Sequence, residues 1–188
     1  SRGDGQAWAE LEGERDRLLL ASRGHLKTTI QVVAHSIQWI LNYPNVRILI
    51  VTSTDEKAQL IITKIKQHFQ FNPRMRFLFP EFCPPARKAS DWCSKTEIVV
   101  PNTTRRDEPT IMMAAVGKAL ASTHHDVIKA TDVVTENNVK TPGQIQEVEE
   151  FFGYLEPLRE RWASVEGQPN PAPKDIEGTI YDYCLIGS

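Results

Sequence analysis

The sequence predicts an α/β fold in which a mostly parallel sheet is covered by helices on both faces. Two observations carry this expectation. Short apolar runs alternate with segments whose apolar residues recur at helical spacing, as strands joined by crossover helices require. A lysine and a threonine, Lys27 and Thr28, follow a strand and a turn at the start of a helix, the arrangement of a phosphate-binding loop. With 188 residues, 40% of them hydrophobic, the chain can bury one good core, so a single domain spanning 1–188 is expected.

The elements follow in order. Residues 17–21 form the first predicted strand, leading through a loop at 22–27 into an amphipathic helix with Ile30, Val33, Ile37 and Ile40 or Leu41 on one face. Residues 46–51 are a second strand. Ser53 with Glu56 three residues later forms a capping box for a helix through Phe69, whose buried face is Leu60, Ile61, Ile65 and Phe69. The Pro-rich region 80–92 reads as irregular, and 97–100, 110–116 and 126–130 read as further strands. Thr141, Pro142 and Gln144 supply an N-cap, a first-position proline and a capping-box partner for a helix carrying Ile145, Val148, Phe152 and Leu155. Gly167, Pro169, Pro171 and Pro173 make 166–174 a surface loop, and 179–186 is a last strand.

Charge and cysteine content narrow the function classes. Charged side chains are 24% of the chain but sum to −2, so no global positive field is available to hold a polyanion, and nucleic-acid contacts must be local or shared between subunits. Cys83, Cys93 and Cys184 are odd in number and lack C-x-x-C spacing, which argues against a disulfide framework and a structural zinc site. A reducing cytosol suits them. No run approaches the roughly 18 apolar residues of a membrane span, and the polar start at 1–5 is no signal peptide, so a soluble cytoplasmic protein without a membrane partner is expected.

In ASRGHLKTT, residues 21–29, the candidate nucleotide-binding residues are Ser22, Arg23, Gly24, His25, Leu26, Lys27, Thr28 and Thr29. Backbone N–H groups and the helix N-terminus can cradle phosphates, Lys27 can reach the β and γ groups, and the Thr28 hydroxyl can ligate Mg²⁺. ATP and Mg²⁺ are the ligands this chemistry implies. The match to G-x-x-x-x-G-K-[ST] is poor, because Ala21 and Leu26 stand where the glycines belong and Gly24 sits between them. Taken alone, the segment reads equally as an exposed basic turn capping a surface helix.

The neighbouring text adds to it. SRGHLKTT resembles the deviant Walker A segment of bacteriophage terminase large subunits, and VRILIVTSTDEKA at 46–58, FNPRMRFLFPEF at 71–82, Trp92 and EPTIMMAAVG at 108–117 are similar in wording and order to the same family. HHDVIKATDVVTENNVKTPGQ at 124–144 and YCLIGS at 183–188 resemble its Walker B region and coupling motif. The resemblance covers nearly the whole chain. It implies a P-loop NTPase fold of the RecA/ASCE-like kind and an ATPase that translocates double-stranded DNA through a portal protein into a preformed capsid. It further implies a homo-oligomeric ring on the portal, a terminase small subunit as partner, and the host cell cytoplasm as the setting. The RNase H-like nuclease domain of the family is expected to be absent from this chain, since no acidic cluster follows to hold its two metals.

Residue by residue, the resemblance makes Lys27 the phosphate clamp, Thr28 the Mg²⁺ ligand and Arg23 an arginine acting on the γ-phosphate; otherwise Arg23 pairs with a surface carboxylate. The related Walker B segments carry two acids after the strand, whereas DVIKATD has Thr131 at the first. Either Asp132 is the catalytic carboxylate that orients water, or Asp132 is the metal-side acid, reached through water, and Glu136 supplies the base. Gly187 and Ser188 resemble the coupling Gly-Thr, and Gln6 and Trp8 are candidates for adenine contact. Lys129 is odd inside a strand, which suggests a sheet edge. His124 and His125 point to opposite faces as adjacent strand residues and do not make a zinc pair. Arg105 and Arg106 are candidates for a DNA contact or a finger acting in trans, or belong to a solvated loop. Two other functions compete: a helicase-like translocase fragment, and a degenerate nucleotide-binding module made inert by Thr131.

Overall fold

A computed structural model describes the side chains of residues 25–85, 92–104, 108–118, 120, 124–136 and 138–155, and the backbone of 16–21 and 180–186. Its centre is a six-stranded sheet. β1 (Asp16–Ala21), β6 (Ile180–Ile186), β5 (Val127–Thr131), β2 (Ile48–Thr52) and β4 (Ile111–Ala115) lie side by side in that order, all parallel; β3 (Glu97–Ile98) runs antiparallel along the far side of β4. The expected mostly parallel α/β sheet is therefore present.

Every residue of β2 and β5 is buried, as strands covered on both faces must be, which is why ILIVT reads as a continuous apolar run rather than an alternation. Successive side chains separate to the two faces. Ile48, Ile50, Ile111, Met113 and Val127 join a core with the first two helices, while Leu49, Val51, Ala114, Ile128 and Ala130 pack against the last. Helices thus cover both faces.

The first helix, α1, runs through Thr28–Ala34 and His35–Asn42. Its opening turns are wide, and the His35 N–H reaches back five residues to the Ile30 carbonyl. A turn closed in this way takes more residues than a regular one, so Ile30 rotates off the buried face and is 53% exposed, while Val32, Val33, Ser36 and Ile40 are buried. That corrects the predicted apolar face.

Thr54, not Ser53, caps α2 (Asp55–Phe71): its side chain accepts from the Lys57 N–H, and Ser53 Oγ instead accepts from Lys57 Nζ at 3.0 Å. Ala58, Ile61, Ile62, Ile65 and Phe69 face the core; Leu60 points outward. Asn72 then caps a short α3 (Pro73–Leu78) by accepting from the N–H groups of Arg74 and Met75, inside the stretch that resembles FNPRMRFLFPEF. α4 (Pro142–Leu155) starts on the predicted capping box: Thr141 Oγ1 accepts from Gln144 N at 3.3 Å, and Gln144 Oε1 accepts from Thr141 N at 3.2 Å. Among the described residues no helix is long and apolar enough to cross a membrane.

β5 lies between β6 and β2, so Lys129 does not sit at a sheet edge. The N-terminal ends of β2 and β5 are clamped by Arg47. Its Nε and NH2 donate to the two carboxylate oxygens of Asp126 at 3.2 and 2.9 Å, and its NH1 donates to Glu108 Oε2 at 2.5 Å. Such bidentate, charge-assisted geometry is what allows a buried ion pair. Burial pushes the neighbouring His125 imidazole down to about 4, against the opposing pull of Glu108 and Asp126. At Glu108 burial works against the carboxylate, yet the Arg47 hydrogen bond and charge prevail and its pKa is lowered.

Candidate functional site

The opposite, C-terminal ends of the parallel strands are where ligands bind in open α/β sheets, because helix starts and loops converge there. β1 ends at Ala21, and Leu26 and Lys27 lie at the start of α1. Leu26 has φ 52°. This is the left-handed region that favours glycine. A leucine therefore holds a conformation that glycine ordinarily takes. No side chain caps the start of α1, and its first turn holds no acidic residue, so the N–H groups there suit an anion.

β5 ends at Thr131, and the next residue, Asp132, also takes a positive φ, 51°. Aspartate tolerates that conformation better than most residues. The turn aims its carboxylate at α1, and Lys27 Nζ lies 3.6 Å from Asp132 Oδ1, with the side chains 12% and 21% exposed. Among the described residues neither atom has a hydrogen-bond partner, although both are buried. The separation exceeds a hydrogen bond.

Two hydroxyls at this end of the sheet share this condition. Thr131 Oγ1 and Thr52 Oγ1 are buried and without a partner. β2 and β5 pair Val51 with Ala130, so Thr52 and Thr131 stand level, one residue further on, on the face covered by α1. A cation, a carboxylate and two hydroxyls left unsatisfied at the same end of one sheet mark a place prepared for a polar ligand. Lys27 can donate to phosphate oxygens, and Asp132 can accept from a water.

Of the other predicted residues, Thr28 is half-buried in the first turn of α1, while His25, Leu26 and Thr29 are exposed. Glu136 is exposed in the turn after β5 and makes no ion pair with the described residues. Of the two candidate acids, only Asp132 meets Lys27. Ser22, Arg23, Gly24, Gln6, Trp8, Arg105, Arg106, Gly187 and Ser188 lie outside the described residues. His124 is exposed and His125 buried, and no group of three metal-ligating side chains occurs among the described residues.

Thr52 went unmarked in the sequence. Its signal was a polar residue closing an apolar strand, as Thr131 closes VIKAT. No family model matches the chain, and no curated protein matches it significantly.

Proposed function

We propose that this chain is a P-loop, Mg²⁺-dependent ATPase and, on the strength of its resemblance to terminase large subunits, the ATP-hydrolysing domain of a viral DNA-packaging motor. The observation that carries the ATPase reading is the pair formed by Lys27 Nζ and Asp132 Oδ1, 3.6 Å apart, buried and each without a hydrogen bond. Opposite charges held this close without a hydrogen bond leave an N–H donor and a lone pair open to a ligand. The strand order supports the same reading: β6 separates the strand that leads to Lys27 from the strand that precedes Asp132, the inserted strand that an ASCE-like fold implies.

In this reading Lys27 binds β- and γ-phosphate oxygens through charge-assisted hydrogen bonds. Asp132 accepts a hydrogen bond from the attacking water and orients it, and the Thr131 and Thr52 hydroxyls hold ordered water beside it. The unsatisfied oxygens fit a hydrated cation: Mg²⁺ would be held by the Thr28 hydroxyl, or, in the alternative register in which Glu136 supplies the base, also through water by Asp132, and it would supply neutralisation of phosphate charge. Arg23 acts on the γ-phosphate on the resemblance alone. Double-stranded DNA, the portal protein, the small subunit and the homo-oligomeric ring enter the proposal on the same footing.

The test is Mg²⁺-dependent ATP turnover by the purified chain. Lys27→Ala should lower it by about 10³-fold or more with the fold intact, the scale for removing a charge clamp from phosphoryl transfer. A folded variant with unaltered turnover would reject the site. Thr131, a neutral residue where the family has an acid, favours a second reading, a nucleotide-binding module without turnover. Binding of Mg²⁺-ATP with no phosphate release would select it.

A further inference from the structure

The polar seam does not stop at the proposed site. Lys129, in the middle of β5, is 1% exposed. An ammonium so deeply placed is costly unless its donors are used. Lys129 Nζ donates to the Gln31 carbonyl at 2.8 Å and lies 2.9 Å from His35 Nδ1. An ammonium has no lone pair, so His35 Nδ1 accepts in that contact. On β6 the residue in register with Lys129 is Asp182.

Both acceptors belong to α1, and both lie where its geometry is unusual: Gln31 within the wide-turned segment, His35 at its end. Widened turns are rare and gather at functional sites. Lys129 Nζ takes the Gln31 carbonyl that a regular turn would leave to the His35 N–H, which reaches Ile30 instead. Along β5 Lys129 precedes Asp132 by roughly 10 Å of strand, and along α1 Gln31 follows Lys27 by roughly 6 Å of helix. One ammonium therefore joins the two elements that carry the ion-pair partners, just behind them.

We infer that Lys129 is a positioning residue: it pins the start of α1 to β5 and so sets the separation of Lys27 from Asp132. Packing alone gives no reason for it, since an apolar side chain of similar length would fill the position without the cost of a buried charge. The kinetic half of this inference rests on the ATPase reading; the pinning itself does not.

The experiment compares the full chain with Lys129→Met, His35→Leu and His35→Gln by thermal unfolding, hydrogen–deuterium exchange, and kcat and KM for Mg²⁺-ATP. Lys129→Met should unfold within a few degrees of the parent, exchange about tenfold faster across residues 28–36 with α2 and α4 unchanged, and lose about ten- to hundredfold in kcat with KM nearly constant. His35→Leu should act in the same direction but less, and His35→Gln, whose amide oxygen can accept, should recover most of the loss. Faster exchange throughout the molecule, or none at 28–36, overturns the pinning, and if Lys129→Met does not fold, the His35 pair decides alone. Absence of turnover in the parent would defeat the ATPase reading, leaving the exchange pattern to decide the pinning.

Discussion

Leu26 and Asp132 take positive φ angles, 52° and 51°, and so bring the backbone on the two sides of the Lys27–Asp132 gap into the same rare conformation. For a leucine this costs about 1–2 kcal/mol, and such strain persists where the surroundings over-determine it, commonly at functional sites. The Leu26 side chain is 66% exposed, so replacing it forfeits little burial. Leu26→Gly should stabilise the chain by about 0.5–1 kcal/mol in denaturant unfolding, the relief of strain less the extra entropy of glycine in the unfolded chain. A loss of stability would mean that the leucine makes a contact that holds the loop. Thr131→Asp places a carboxylate in a position only 1% exposed, beside an aspartate. Without metal it should cost about 1–3 kcal/mol of stability; with Mg²⁺ it should raise ATP turnover modestly and sharpen the metal requirement, because the cation turns repulsion between the two acids into shared attraction. Metal titrations identical to those of the parent would remove Thr131 from the metal side.

Elements differ in how locally they are encoded, and α4 is the local extreme. Its capping box lies within four residues, so it was legible in the sequence, and Thr141→Ala should lower stability by about 1 kcal/mol in thermal unfolding. An unchanged midpoint would show that packing of Val148, Phe151 and Leu155 alone holds the helix start. The strands were legible to within two residues for the same reason, apart from β3, which keeps only half of its expected length. Local pattern failed wherever geometry came from elsewhere. In α1 the turns are wide and Ile30 leaves the core face, in a segment whose Gln31 carbonyl is bonded by Lys129, a residue distant in sequence. In α2 the adjacent Leu60, Ile61 and Ile62 leave the face ambiguous until the Thr54 cap and Ala58 set its phase. Lys27 and Asp132 could be found as candidates from charge and spacing, whereas the level placement of Thr52 beside Thr131 needs the pairing of β2 with β5. Lys129 was visible only as an anomaly.

Across the whole molecule the two ends of the sheet are held differently: at one, charge-assisted hydrogen bonds tie Arg47 to Asp126 and Glu108, and at the other Lys27 lies beside Asp132 without one. The Arg47 end predicts the acid behaviour. His125 has a folded-state pKa of about 4 against 6.5 for the free side chain. Between those values the unfolded chain binds a proton that the folded one does not, so stability falls as pH drops through this window, by up to about 3 kcal/mol. Glu108 acts in the same direction lower down: its depressed pKa supports the fold above the usual carboxylate range, and that support is lost as pH falls through the folded value. Denaturant unfolding at pH 7 and pH 5 should display the His125 loss, and His125→Leu should flatten it; an equal slope in the variant would assign the dependence to other groups. At the side of the sheet, β3 is only two residues long, and its outer face is taken by its own chain, where Cys93 bridges Ile98, Val99 N donates to the Trp92 carbonyl at 2.7 Å and Ser94 N to that of Glu97 at 2.9 Å. With those amides already spoken for, β3 itself offers a second molecule little ladder to extend, so edge-to-edge strand addition, the usual beginning of amyloid-like self-association, has no foothold on its backbone.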